Sequence, residues 1–140
     1  MKPRILIIED DKSLYRSLAH MLHREGYDLV WTQTGHEALR KSLDEPFDVA
    51  LLDLNVSDID SVKAFELLCQ LHPFLPVLVL ADEHAAGTSL EGSIIDFDNV
   101  LTKPVNRTQL IRAIEAVLAE SHHDRISRRT SALYATITAP

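Results

Sequence analysis

Four short apolar runs divide this chain, each closing on residues that a phosphate site could use. Ile5-Leu6-Ile7-Ile8 leads into Glu9-Asp10-Asp11, and Val49-Ala50-Leu51-Leu52 into Asp53. Pro76-Val77-Leu78-Val79-Leu80 leads into Ala81-Asp82, and Val100-Leu101-Thr102 into Lys103-Pro104. Helical periodicities fill the intervals. Apolar runs that alternate with helical periodicities are the signature of a parallel α/β sheet. Parallel neighbours end on one edge, where open sheets of this kind bind ligands. Three acids and one lysine would then meet at a point, an arrangement that calls for a cation or a transferable anion.

The rest of the chain can be placed around those runs. The first strand spans Arg4–Ile8. A helix follows with Leu14, Leu18, Met21 and Leu22 on one face, ending near Gly26. The second strand is Asp28–Thr32. A second helix carries Ala38, Leu39, Ser42 and Leu43 and stops before Pro46; the third strand is Asp48–Leu52. A third helix has Val62, Phe65, Leu68 and Cys69 and ends before Pro73; the fourth strand is Val77–Leu80.

Between Glu83 and Asp98, Gly87, Thr88, Ser89 and Gly92 leave little apolar period. A fourth helix there is expected to be weak or partly unwound, since each interior glycine costs about 1 kcal/mol relative to alanine. The fifth strand is Val100–Thr102. In the last helix Asn106 serves as cap with Gln109 at the third position, while Val105 and Leu110 form a hydrophobic staple. Leu110, Ile114, Val117 and Leu118 make its buried stripe. Residues 1–120 read as one domain. From Ser121 the chain turns polar, and 121–140 read as a partly disordered tail or linker.

Composition narrows the function. At 140 residues and 46% apolar content the chain can bury its own core. A formal charge of −7 argues against a nucleic-acid surface. Cys69 has no second cysteine to pair with, which suits a reducing, cytoplasmic compartment. No apolar stretch approaches the roughly 20 residues of a membrane span, and no signal peptide is evident.

The strand-end acids carry the chemistry. With the first and third strands adjacent, Glu9, Asp10 and Asp53 crowd together, and a pair ~4 Å apart repels by ~4 kcal/mol at an effective dielectric constant of ~20. Oxygen-only ligands select a hard ion, and Mg²⁺ suits one or two carboxylates with waters and phosphate. Lys103 adds a second positive charge. One carboxylate can then attack phosphorus while the cations neutralise the transferring oxygens. The same repulsion predicts that Asp53→Asn stabilises the metal-free protein.

Three motifs together, Ile7-Ile8-Glu9-Asp10-Asp11, Leu51-Leu52-Asp53 and Leu101-Thr102-Lys103-Pro104, resemble the receiver domains of two-component response regulators over about Lys2–Glu120. The resemblance implies a flavodoxin-like fold with strand order 2-1-3-4-5. It implies that Asp53 accepts a phosphoryl group from a histidine kinase or histidine phosphotransfer protein. Glu9 and Asp10 would be the acidic pair, with Asp10 directly on Mg²⁺ and Glu9 acting through water. Asn55 would lend its backbone carbonyl to the metal, Lys103 would contact the phosphate, and the Lys103–Pro104 peptide would be cis. Asn55 and Glu83 occupy positions that modulate dephosphorylation in the family. The implied protein is a phosphoacceptor rather than an enzyme, with at most slow self-dephosphorylation. An unknown downstream protein would read it, and a homodimer is compatible with it; neither nucleic acid nor membrane is an expected partner.

Departures from the family pattern gather at the read-out. Ala81 stands where a Thr or Ser hydroxyl usually bonds the phosphoryl oxygen, leaving the backbone N–H of Asp82 as a substitute donor. Val100 replaces the usual switch aromatic. Asp96 stands for a turn glycine, Ser57 for a proline and Ser61 for a glycine. The acceptor chemistry is thus complete while the switch is altered, and a pseudo-receiver acting as a phosphorylation-independent interaction module is the alternative. A haloacid-dehalogenase-like phosphatase would want an acid at Asn55, and a flavin carrier would want a Ser/Thr/Gly-rich loop where Glu9-Asp10-Asp11 stands. The tail residues His122-His123 and Arg125, Arg128 and Arg129 read as solvated, and Trp31 as structural.

Overall fold

The computed structural model describes residues 2–56, 61–82, 99–120 and 122–138. Its elements are β1 (Arg4–Ile8), α1 (Lys12–Arg24), β2 (Asp28–Thr32), α2 (Gly35–Asp44), β3 (Val49–Asp53), α3 (Ser61–Leu71) and β4 (Val77–Ala81). After these come β5 (Val100–Thr102), α4 (Arg107–Ala119) and α5 (His122–Thr138). The strands form one parallel sheet in the order β2-β1-β3-β4-β5. The expected flavodoxin-like topology is therefore present. The segment expected to hold a weak fourth helix, with Glu83, Gly87, Gly92 and Asp96, lies outside the described residues, as does Ser57.

Period-two alternation divides the strand residues between two cores. Leu6, Ile8, Ala50, Leu52, Val77 and Val79 face Ala38 of α2 and Ala64, Phe65 and Leu68 of α3. Ile5, Ile7, Val49, Leu51, Leu78 and Leu80 face Leu18 and Leu22 of α1 and Leu110, Ile114 and Val117 of α4. Every residue of β3 and β4 is buried. That is why those runs carry no polar alternation, and burial of each large aliphatic side chain contributes roughly 1.5–3 kcal/mol.

Four expectations need correction. β3 begins at Val49 and includes Asp53, because Asp48 spends its carboxylate on the Arg4 N–H at 2.7 Å, at the foot of β1. β4 extends to Ala81, which pairs with Thr102. Leu43 is 66% exposed, because the inward face of α2 runs through Gly35, Ala38 and Ser42. In α4, Ile111 rather than Leu118 joins Leu110, Ile114 and Val117 among the buried residues.

The tail reading also changes: residues 122–138 form a helix. No Gly or Pro interrupts them, so their polar composition concealed a segment with nothing to break a helix. The hydroxyls of Thr130 and Thr138 bond back to the carbonyls of Ile126 and Tyr134 at 2.9 and 2.8 Å.

Candidate functional site

The register carries the strand-end residues to one place. Ile8 pairs with Leu52 and Asp53 with Leu80, so Glu9 emerges beside Asp53. Across β4, Ala81 pairs with Thr102, and the Lys103 N–H donates to the Ala81 carbonyl at 2.8 Å. The Lys103–Pro104 peptide is cis. Lys103 Nζ reaches Asp53 Oδ2 at 2.7 Å, although 50 residues separate the two. Asp53 is 2% and Glu9 1% exposed.

Each oxygen of Asp53 is engaged: Oδ2 by Lys103 and Oδ1 by the Asn55 N–H at 2.8 Å. Burial alone would raise this carboxyl. Hydrogen bonds from Glu9, Lys103 and the Asn55 N–H outweigh burial and hold it below its ordinary 3.8. Glu9 is the opposite case. Burial, then its hydrogen bond to Asp53, push the Glu9 carboxyl up to about 8 against the pull of the Asp11 N–H. Its Oε1 accepts that N–H at 2.9 Å, while Oε2 is buried with no hydrogen-bond partner. Two facing carboxyls cannot bond unless a proton or a cation stands between them. Without metal, the crowding of the two carboxyls favours the protonated form of Glu9.

That orphaned oxygen is the observation that tests a metal. Among the described residues no three His, Cys, Asp or Glu side chains converge as a metal cage. Mg²⁺ does not require one: it binds through one or two carboxylates and keeps several waters. Glu9 and Asp53 supply hard oxygens, one of them unsatisfied, and the donor set fits Mg²⁺.

The remaining candidates stand around this centre. Asp10 and Asp82 lie exposed just past the ends of β1 and β4, and Asn55 is exposed just past β3. Ala81 is fully buried. Val100 is half-buried and packs on the core cluster that contains Leu52 and Val79. Asp11, adjacent in sequence to the acidic pair, serves α1 instead: its Oδ1 accepts the N–H groups of Ser13 and Leu14 at 2.8 and 3.2 Å.

Two contributors escaped the sequence. Trp31 donates Nε1–H to the Glu9 carbonyl at 2.8 Å and stacks on Tyr15, with ring centroids 4.2 Å apart. With Glu9 N–H donating to the Thr32 carbonyl at 3.0 Å, β2 grips the Glu9 backbone from both sides. Ser61, standing where the family has glycine, donates its hydroxyl to the Leu54 carbonyl at 2.6 Å. It thereby ties the start of α3 to the turn after Asp53. Neither signal was local: the sole Trp reads as a strand aromatic and Ser61 as a helix start.

The comparisons agree with this fold. A family model described as response regulator receiver domain matches residues 5–115. Over 121 residues the chain is 28% identical to the alkaline phosphatase synthesis transcriptional regulatory protein PhoP of Bacillus subtilis (strain 168), covering 86% of this chain and 50% of that protein. The chain thus spans half the length of this curated relative. Among solved structures, a CheY-like response regulator receiver domain protein from Methanospirillum hungatei JF-1 superposes with a TM-score of 0.74 at 28% identity, covering 89% of this chain and 98% of the other. The receiver domain of the sensor histidine kinase PA1611 from Pseudomonas aeruginosa PAO1, solved with a magnesium ion in its active site cleft, superposes with a TM-score of 0.77. It covers 86% of this chain and 100% of the other, and at 20% identity that likeness speaks to the fold.

Proposed function

Because the chain belongs to the response regulator receiver domain family, we propose that it relays a two-component signal by accepting a phosphoryl group on Asp53 in a Mg²⁺-dependent reaction. The observation that carries this reading is the contact of Lys103 Nζ with Asp53 Oδ2 at 2.7 Å, beside the unsatisfied oxygen of Glu9. Depression of the Asp53 pKa keeps it an anionic nucleophile at neutral pH. A carboxylate oxygen of Asp53 attacks the phosphorus of a phosphohistidine on a kinase or phosphotransfer protein. An O–P bond forms as the P–N bond breaks, and the released imidazole takes up a proton. Lys103 neutralises charge on the transferring oxygens, and the Asp82 N–H substitutes for the hydroxyl that Ala81 lacks. Glu9, Asp10 and Asp53, with the Asn55 carbonyl, would hold Mg²⁺, which supplies positive charge at the phosphoryl oxygens when bound. The chain acts as a phosphoacceptor in a cytoplasmic setting, with at most slow self-dephosphorylation tuned by Asn55 and Glu83, and a downstream protein reads it.

The experiment is incubation with Mg²⁺ and a small phosphodonor, followed by intact mass. One phosphoryl adduct is expected, absent in Asp53→Asn. Its persistence in that variant, or its failure to form in the parent, would overturn the reading.

A second reading draws on Ala81 and Val100. A buried methyl and a half-buried valine stand at the two switch positions, which favours a pseudo-receiver whose binding surface ignores phosphorylation. Partner binding that survives Asp53→Ala unchanged would select it.

A further inference from the structure

At the amino edge of the sheet, opposite Asp53, lies a groove of about 680 Å³ between the carboxyl ends of α2, α3 and α4 and the segments entering β3 and β4. Leu43, Leu71 and Phe74 line it and remain 66, 45 and 51% exposed. Asp44, Glu45, Asp48 and Glu120 also line it, with Glu45 ion-paired to Arg4 at 3.1 Å. Helix α5 is complementary in both respects. Ile126, Leu133 and Ile137 recur on one side of it at helical spacing and are 40, 46 and 72% exposed, and Tyr134 is 68% exposed. Three arginines (125, 128 and 129) against Asp124 give α5 a charge of +2, so the remainder of the chain carries −9 of the net −7.

We propose that this groove receives α5 of a second copy of the chain, in a reciprocal exchange that makes a two-fold dimer. Opposite charges and two exposed apolar faces of matching kind select the occupant. Its own α5 does not fill the groove. Two residues, Glu120 and Ser121, link α4 to α5, and in this structure Ile126, Leu133 and Ile137 of α5 and Leu43, Leu71 and Phe74 of the groove are all exposed. A two-fold exchange satisfies both grooves and both helices at once and closes on itself. It leaves the Asp53 edge open, so the dimer and the phosphoacceptor site occupy opposite ends of the strands.

Sedimentation equilibrium of the whole chain tests this. The parent is expected to dimerise, more weakly as salt rises. Leu43→Glu in the groove and Ile137→Glu in α5 are each expected to weaken dimerisation by about tenfold or more, close to 1.4 kcal/mol. The double charge reversal Arg128→Glu with Arg129→Glu should weaken it as well, and adding Asp44→Lys should recover part of the loss. All these positions lie at the surface or in α5, and unchanged circular dichroism checks that each variant folds. A parent that stays monomeric overturns the proposal. So does a dimer lost in Ile137→Glu but intact in Leu43→Glu, which would mean that α5 pairs with α5.

Discussion

Glu9 and Asp53 are both carboxyls buried at one strand edge, yet their surroundings drive them in opposite directions. Asp53 accepts from Lys103 and the Asn55 N–H and is held low; Glu9 accepts only from the Asp11 N–H and is pushed up. The like-charge penalty inferred from the sequence is therefore borne by Glu9, and Asp53→Asn would discard the Lys103 ion pair instead of relieving strain. Between the ordinary 4.5 and the native value of about 8, the native state holds a proton that the unfolded chain has released. Stability thus falls as pH rises through that window. Asp53 works in the other sense: its stabilisation is present above 3.8 and is lost as pH drops through its lower native value. Glu9→Gln preserves the acceptor for Asp11 and gains a permanent donor to Asp53. In chelator, its melting temperature should change less than the parent's across this window and should exceed the parent's at the alkaline end. Parallel slopes in thermal melts would contradict the assignment.

At the scale of single elements, the site depends on how α1 and the turn after β3 are fastened. Asp11 caps α1 through two N–H groups, so Asp11→Ala should cost about 1 kcal/mol in urea unfolding. The helix stops at Gly26, which takes φ of 82°. A methyl group there meets no atom within 4 Å, so Gly26→Ala tests backbone conformation alone and should cost roughly 1 kcal/mol. Ser61→Gly restores the family's usual residue but removes the tie to Leu54, and a loss of about 1 kcal/mol is expected in the same assay.

Across the whole molecule, the two ends of one sheet differ in what they present. The carboxyl edge gathers Glu9, Asp53 and Lys103, and the amino edge offers the groove. Mg²⁺ that binds only the native state should raise the melting temperature, by about 2.7 kcal/mol of stability at a hundred times its dissociation constant. Differential scanning fluorimetry should show this gain reduced in Glu9→Gln and in Asp53→Asn. Trp31, bonded to the Glu9 carbonyl, is the only tryptophan, and its fluorescence should respond to the same titration. No helix among the described residues is long and apolar enough to cross a membrane.

While the cis lysine–proline turn followed from the resemblance to receiver domains, the strands and helices α1 to α4 were legible because apolar periodicity is a local property. The same applies to the Asn106 cap, whose side chain accepts the Gln109 N–H at 3.2 Å as expected. Charge partition inside the site was not legible. Whether a buried acid is ionised depends on donors that arrive from other strands, and those donors are set only when β1, β3 and β5 come into register. The Trp31 and Ser61 contacts, the exposure of Leu43 and the helix at 122–138 belong to that second group. Sequence alone determined which residues could meet; the packed sheet decided how many hydrogen bonds each would find on arrival.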